Sequence, residues 1–343
     1  MNEILQRKKD HIFLACGENS RSVIDPGFGS YRFEHNALPE MDFADADASV
    51  NFLGRRLNLP LIISSITGGV IGEKVGRNLA GIANDFGLGM AVGSQRIAFE
   101  NDSLEESFQI RRYAPNILLF ANFGAVQLNY GYSVDQCKRA VEMIEADALI
   151  LHLNPLQEVF QTEGNTNFSN LLKKIEKICS SMEYPLLIKE VGYGISASVA
   201  KKLQNAGVYG IEVAGAGTIS WSNLESQRSS DIVVRNASKN FSDWGNSTVR
   251  CLESIAAIPR KMKVVASGGV RTGVDVAKAM ALGADLCGNA SDFLQKIMIS
   301  RSECENFVES LKLEIKTAMF CIGCRNIEEL KKAKLLKIKE VPA

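Results

Sequence analysis

The chain has 343 residues, 46% of them hydrophobic and 23% charged, which supplies a sizeable core and excludes a disordered chain. Its 39 Lys plus Arg balance 39 Asp plus Glu, so no global field draws in nucleic acid or an anionic membrane, and an anionic ligand must be met by local groups. The eight cysteines give no short disulfide framework, the start MNEILQRKKDHIF is too polar for a signal peptide, and no apolar run reaches a membrane span; a soluble, reduced, cytoplasmic protein is expected.

Residues 1–58 carry RKKD and then a loop-like DPGFGSYRF, and are expected to fold over one end of the remaining chain as a lid or flank. From residue 60 onward, short apolar runs alternate with longer amphipathic stretches. The runs PLIISSI (60–66), GMAV (89–92), NILLFAN (116–122), DALILHL (147–153), PLLIKE (185–190), YGIEVA (209–214), KVVASG (263–268) and DLCGNA (285–290) predict eight strands. Their near-continuous hydrophobicity suits strands buried on both faces, as in a parallel sheet. Val75, Leu79, Ile82 and Phe86, and again Phe168, Leu171, Ile175 and Ile178, keep the helical period between strands. Strand–helix alternation repeated eight times predicts an α/β chain closed into a (β/α)8 TIM barrel, with a doubly wound open sheet as the competing arrangement. Residues 222–247, after the sixth strand, form a polar stretch expected to be a loop insertion, and the whole chain is expected to be a single barrel domain.

A barrel carries its ligands on the loops that follow the strands. Here those loops are polar and Gly-rich, as in HLNPLQE (152–158), GAGTISW (215–221) and SGGVRTG (267–273). Gly268 and Gly269 open a turn where backbone N–H groups meet an anion, and a short helix after GNAS (288–291) points its positive end at the same place. A phosphate-bearing cofactor is expected there, tight turns that merely need glycine being the plain alternative. Lys189 ends an apolar strand, where a buried ammonium needs a partner; a flavin is one, and Glu190 is another. Arg7, Lys8 and Lys9 are a solvated basic stretch unless the terminus covers the barrel mouth, where with Arg96 they would hold a diphosphate. His11 and His35 lack local context and receive no role. Cys321 and Cys324 have C-x-x-C spacing but no matching second pair, so the pair is read as incidental. Trp221 and Trp244 flank the insertion, where either covers a ligand ring or packs the loop down.

Taken together, RKKDH, SSITGG, MAVGSQR, ANFGAVQL, LHLNPLQE, EGNTNF, IKEVGYGIS, GAGTISW, DWG and SGGVRTGVDVAKAMALGAD resemble, in order and over nearly the whole chain, the type 2 isopentenyl-diphosphate isomerases, which are FMN-dependent barrels. HLNPLQE is the most specific of these. The resemblance implies interconversion of isopentenyl and dimethylallyl diphosphate by a 1,3-proton shift in isoprenoid biosynthesis. It implies FMN in reduced form with NAD(P)H as reductant, Mg2+ on the diphosphate, a small-molecule partner with no nucleic acid or membrane, and a homo-oligomer. Carried over by motif, Gln157 and Glu225 are the catalytic positions and Glu158 the metal ligand. Arg7, Lys8, Ser94, Gln95, Arg96, His152, Asn154 and Gln157 face substrate. Ser65, Ile66, Thr67, Ser94, Asn122, Lys189, Thr218, Gly269, Val270, Arg271, Ala290 and Ser291 are the flavin contacts.

An alkene is a poor base and its allylic C–H a very weak acid, so a neutral glutamine or an unaided carboxylate is inadequate and the reduced flavin, acting at N5, is expected to handle the proton. Two departures from the family pattern stand out. Gly217-Thr218-Ile219-Ser220-Trp221 replaces the usual Gly-Gly-Thr before Ser or Asn and Trp, and Ser291-Asp292 stands where Arg and Pro are common. An aspartate beside the flavin phosphate would weaken binding. The alternatives are an FMN-barrel oxidoreductase, which the chain lacks the His-Gly-Gly-Arg strand end to support, and a phosphate-binding barrel without catalysis.

Overall fold

Eight short parallel strands close on themselves in chain order: β1 (Leu61–Ile63), β2 (Gly89–Ala91), β3 (Leu119–Gly124), β4 (Ala148–His152), β5 (Leu186–Lys189), β6 (Gly210–Glu212), β7 (Lys263–Ser267) and β8 (Leu286–Asn289). This computed structural model describes residues 10–15, 17, 20–65 and 70–338. Each predicted run supplies one strand, and the pairing of β8 with β1, Cys287 opposite Leu61 and Gly288 opposite Ile62, makes the sheet a closed barrel and not an open one.

Side chains alternate across a strand, and here both faces are buried. Ile62, Ala91, Phe120, Ile150, Leu187, Val265 and Leu286 point inward and fill the barrel. Their neighbours Ile63, Met90, Ala121, Leu149, Ile188, Val264 and Cys287 point outward against the surrounding helices. That double burial is why the runs read as unbroken apolar sequence. The helix Val70–Phe86 carries the predicted period, with Leu79 and Ile82 buried, and Leu171–Ser181 buries Leu171, Ile175 and Ile178.

The N-terminal flank, expected over one end, serves both. An antiparallel hairpin, Val50–Phe52 with Arg55–Leu57, plugs the amino-terminal end of the barrel, where Phe52 and Leu57 join the interior cluster. Its two-residue turn needs positive φ at both positions, which Leu53 (50°) and Gly54 (75°) adopt. At the other end, the Ser22 N–H donates to the Thr218 carbonyl at 2.7 Å and the Ser220 N–H to the Ser20 carbonyl at 2.7 Å, so the flank crosses the loop after β6. Farther out, Tyr31–Phe33 pairs antiparallel with Leu335–Lys337, joining flank and C-terminal region.

The stretch 222–247 is not a loop throughout, as the sequence suggested. It holds two packed helices, Trp221–Arg228 and Ile232–Lys239, started by Ser220 and Asp231 side-chain caps. The first of them buries Ser222, Glu225 and Ser226 beside Leu224. A helix that buries polar side chains has no apolar stripe, so periodicity gave no sign of it.

Among the described residues no helix is long and apolar enough to cross a membrane. Among the described residues Cys137, Cys179, Cys251, Cys287, Cys304, Cys321 and Cys324 are free thiols.

Candidate active site

The strand period that fills the barrel also builds its mouth. The next inward position above the apolar layer is Ser64, Gly93, Asn122, His152, Lys189, Glu212, Ser267 or Gly288, one per strand, and all eight line one cavity at the carboxyl ends. Direct pairing of β4, β5 and β6 sets His152, Lys189 and Glu212 side by side in one row. Loops and flank complete the walls with Ser65, Ser94, Arg96, Asn154, Gln157, Glu158, Thr218, Trp221, Val270, Ala290 and Ser291, and with His11, Ile12 and Ala15 of the flank.

One hydrogen-bonded chain runs across this mouth. His11 Nε2 lies 2.9 Å from Glu225 Oε1, which also accepts from Gln157 Nε2 at 3.2 Å. The Asn154 amide donates to Gln157 Oε1 at 3.1 Å and to Glu158 Oε1 at 2.8 Å. Glu158 Oε2 accepts the Asn165 N–H at 2.5 Å, and Asn165 Oδ1 accepts from Arg96 Nη1 at 3.0 Å. A carboxylate only accepts, so Glu225 and Glu158 fix which way the Gln157 and Asn154 amides face. Burial pushes Glu225 up, but the His11 bond and charge and the Arg228 guanidinium outweigh it and hold the carboxyl below its usual range. Glu225 itself stands behind Gln157, outside the cavity lining.

His152 Nδ1 lies 3.2 Å from Asn122 Oδ1. Burial, and then the neighbouring Lys189 charge, pull the imidazole down to about 3, so it is neutral near pH 7. Lys189 Nζ donates to the Glu190 carbonyl at 2.7 Å rather than to its carboxylate. Glu190 Oε2 instead accepts the N–H groups of Val191, Gly192, Tyr193 and Gly194, fixing the loop after β5.

Among the described residues, four buried side-chain polar atoms have no hydrogen-bond partner: Ser65 Oγ, Asn122 Nδ2, Asn154 Oδ1 and Glu212 Oε2. All four residues line the same cavity, and leaving such an atom bare costs about 1–3 kcal/mol. Ser65 and Asn122 are among the expected flavin contacts, and a hydroxyl with an amide donor fits the mixed donors and acceptors of a flavin ring edge and ribityl chain. For its phosphate, Ala290 begins the helix Ser291–Ile299 with no side-chain cap of its own, although the Asp292 N–H of the first turn already donates to Asn289 Oδ1 at 3.1 Å. Gly268 and Gly269 adopt φ of 96° and 75°; a Cβ on Gly268 would lie 2.0 Å from the Gly215 carbonyl oxygen, so the turn needs glycine for packing as well as for an anion. Asp292 sits beside this helix start in a reciprocal pair with Asn289, whose amide donates to its carboxylate at 2.7 Å.

Two expected contacts turn away. Gln95 is fully buried outside the cavity lining, its amide donating to the Ala140 carbonyl at 2.9 Å and its oxygen accepting the Asn122 N–H at 2.9 Å, so its side chain fastens β3. The Arg271 guanidinium donates to the Gly217 carbonyl and likewise misses the lining. Arg7, Lys8, Ile66 and Thr67 lie outside the described residues. Trp221 lines the cavity, its ring edge-on to His11 at 5.0 Å, whereas Trp244 is exposed and meets the Phe241 ring edge-on at 5.4 Å. His11 was given no role from the sequence, and Asn165 and Glu212 were not singled out there. Only Glu212 left a signal there, a carboxylate at the inward parity of a strand end.

Among the described residues no group of three His, Cys, Asp or Glu is placed to hold a metal. Glu158 with the bare Asn154 Oδ1 is an oxygen pair, suited to a Mg2+ held mainly by substrate phosphates.

Residues 134–337 match the family of FMN-dependent dehydrogenases. The chain is 49% identical over 330 residues to an isopentenyl-diphosphate delta-isomerase of Nostoc sp., covering 95% of this chain and 93% of that one. It is 44% identical over 337 residues to the protein of the same name from Oceanobacillus iheyensis, covering 98% and 97%. A solved mandelate oxidase variant superposes with a TM-score of 0.69 at 18% identity, covering 98% of each chain, a likeness of fold.

Proposed function

The chain belongs to the isopentenyl-diphosphate delta-isomerase family, on the barrel of the FMN-dependent dehydrogenases, and we propose from that premise that its mouth shifts a proton between isopentenyl and dimethylallyl diphosphate. The observation that carries the reading is the Gln157 amide, held at both ends by Glu225 and Asn154, where an acid/base enzyme of ordinary substrates would hold a titrating group. Reduced FMN, when bound, supplies the strong acid/base and an electron-rich ring beside the alkene. Everything else falls to the chain's own residues.

Ser65, Asn122, Lys189, Thr218, Gly269, Val270, Ala290 and Ser291 would hold the cofactor, with Lys189 bringing positive charge to the mouth. Gln157 orients the reacting carbons, and its fixed amide neither takes up nor releases a proton. Neutral His152 donates or accepts one hydrogen bond without adding a second cation. Arg96, with Ser94 beside it and Arg7 and Lys8 from the flank, would meet the diphosphate, while Glu158 and Asn154 Oδ1 would ligate Mg2+ and neutralise it. That neutralisation opposes loss of the diphosphate as positive charge grows on the carbon skeleton. Ile12, Ala15 and Trp221 shield the site from water.

NAD(P)H as reductant, a place in isoprenoid biosynthesis, a homo-oligomer and a cytoplasmic location complete the reading. The test is anaerobic incubation of purified protein with FMN, dithionite, Mg2+ and isopentenyl diphosphate. Dimethylallyl diphosphate is the expected product, and its absence rejects the isomerase; in a separate anaerobic incubation without dithionite, bleaching of oxidised bound flavin by an added substrate favours an oxidoreductase.

A further inference from the structure

Glu212 is fully buried, and the roles assigned above leave it unused. It ends β6 at the inward parity, in register with Lys189. Its Oε1 accepts the Ser64 hydroxyl at 2.8 Å, although Ser64 follows β1 and β7 and β8 stand between the two strands. The link crosses the lumen over Gly288 of β8, where an added Cβ would lie 2.2 Å from Ser64 Oγ and 3.2 Å from Glu212 Oε1. Gly288 therefore leaves room for the bond. Glu212 lines the cavity, and its second oxygen, Oε2, is buried with no hydrogen-bond partner.

We infer that Glu212 is a cofactor-binding residue, its Oε2 accepting a hydrogen bond from an N–H or O–H donor of the flavin. The inference rests on the FMN reading of this mouth. A carboxyl oxygen buried without a donor weakens the chain that carries it, and a ligand donor placed there recovers the loss. A flavin offers such donors at its ring N–H and ribityl hydroxyls, and the Lys189 ammonium in the same row donates to the Glu190 carbonyl and not to Oε2. The Ser64 bond occupies Oε1 and leaves Oε2 as the oxygen a ligand donor would meet.

The test compares wild type with Glu212→Gln and Glu212→Leu by FMN titration, following fluorescence quenching and the visible spectrum, and by melting of the FMN-free proteins. Ser64 both donates and accepts, so Glu212→Gln can pair its amide nitrogen with Ser64 and still offer an oxygen to the flavin. FMN affinity within about threefold of wild type is expected for it. Glu212→Leu keeps the volume and loses the acceptor, so FMN should bind at least about tenfold more weakly, with a shifted flavin spectrum and an FMN-free melting temperature equal to or above wild type. Wild-type affinity in Glu212→Leu overturns the inference, as does a lowered FMN-free melting temperature with unchanged affinity, the mark of a merely structural carboxyl. A wild-type chain that takes up no FMN overturns the FMN reading as well, whereas failure of Glu212→Leu to weaken FMN in a chain that binds it overturns this inference alone.

Discussion

The side chains of the mouth do different work depending on whether they titrate. Gln157 does not, and both ends of its amide are bonded, so its contribution is orientation. Gln157→Ala should therefore lower turnover by roughly 100-fold or more while FMN affinity stays within about threefold; steady-state assays beside FMN titration would show the split, and the reverse pattern would contradict the role. His152 does titrate, but burial and Lys189 hold its folded value near 3, below the usual 6.5 of an unfolded chain. Between those values the unfolded chain binds the proton and the folded chain does not, so stability present above pH 6.5 is lost as the pH falls toward 3. The slope is at most about 1.4 kcal/mol per pH unit, an upper bound because the ring keeps surface open to the cavity. Urea denaturation of wild type and His152→Asn at pH 7 and pH 5 should show the acid loss shrinking in the variant; equal losses would assign it elsewhere.

At the scale of elements, those with a regular apolar period were readable and those that bury polar groups were not. Val70–Phe86 and Leu171–Ser181 follow their periodicity, whereas Trp221–Arg228 hides behind Ser222, Glu225 and Ser226. That helix presents Glu225, the middle member of the His11–Glu225–Gln157 chain, and Leu224 is its one fully buried apolar side chain. Leu224→Ala should cost about 2–5 kcal/mol, and faster amide exchange should concentrate in residues 221–240; protection unchanged there would mean the helix is held by its polar contacts alone. The same logic explains Gln95. Its neighbours Ser94 and Arg96 face the cavity, and only the fold reveals that the residue between them turns inward to fasten β3.

The whole molecule separates stability from chemistry by placing them at opposite ends of one barrel. The hairpin plug buries Phe52 and Leu57 beneath the strands, while the cavity opens above them. Phe52→Ala should destabilise the chain by about 3–5 kcal/mol in chemical denaturation yet leave FMN affinity within about threefold, and a parallel loss of both would show the two ends to be coupled. The flank reaches both ends because it passes the loop after β6 at Ser20 and Ser22 before it reaches the plug. A reading by position along the chain assigned it one end only.

By itself the sequence determined the eight strands, the helices with apolar stripes and the polar loops at the carboxyl ends, because each rests on a local period or on a short motif. Lys189, Gln157 and Glu158 were legible for that reason. Only the tertiary structure decided closure of the sheet, the helical insertion, the turning away of Gln95 and Arg271, and the meeting of His11 with Glu225 and of Ser64 with Glu212. Those pairs lie far apart along the chain, and a hydrogen bond across a barrel lumen leaves no period in the sequence that forms it.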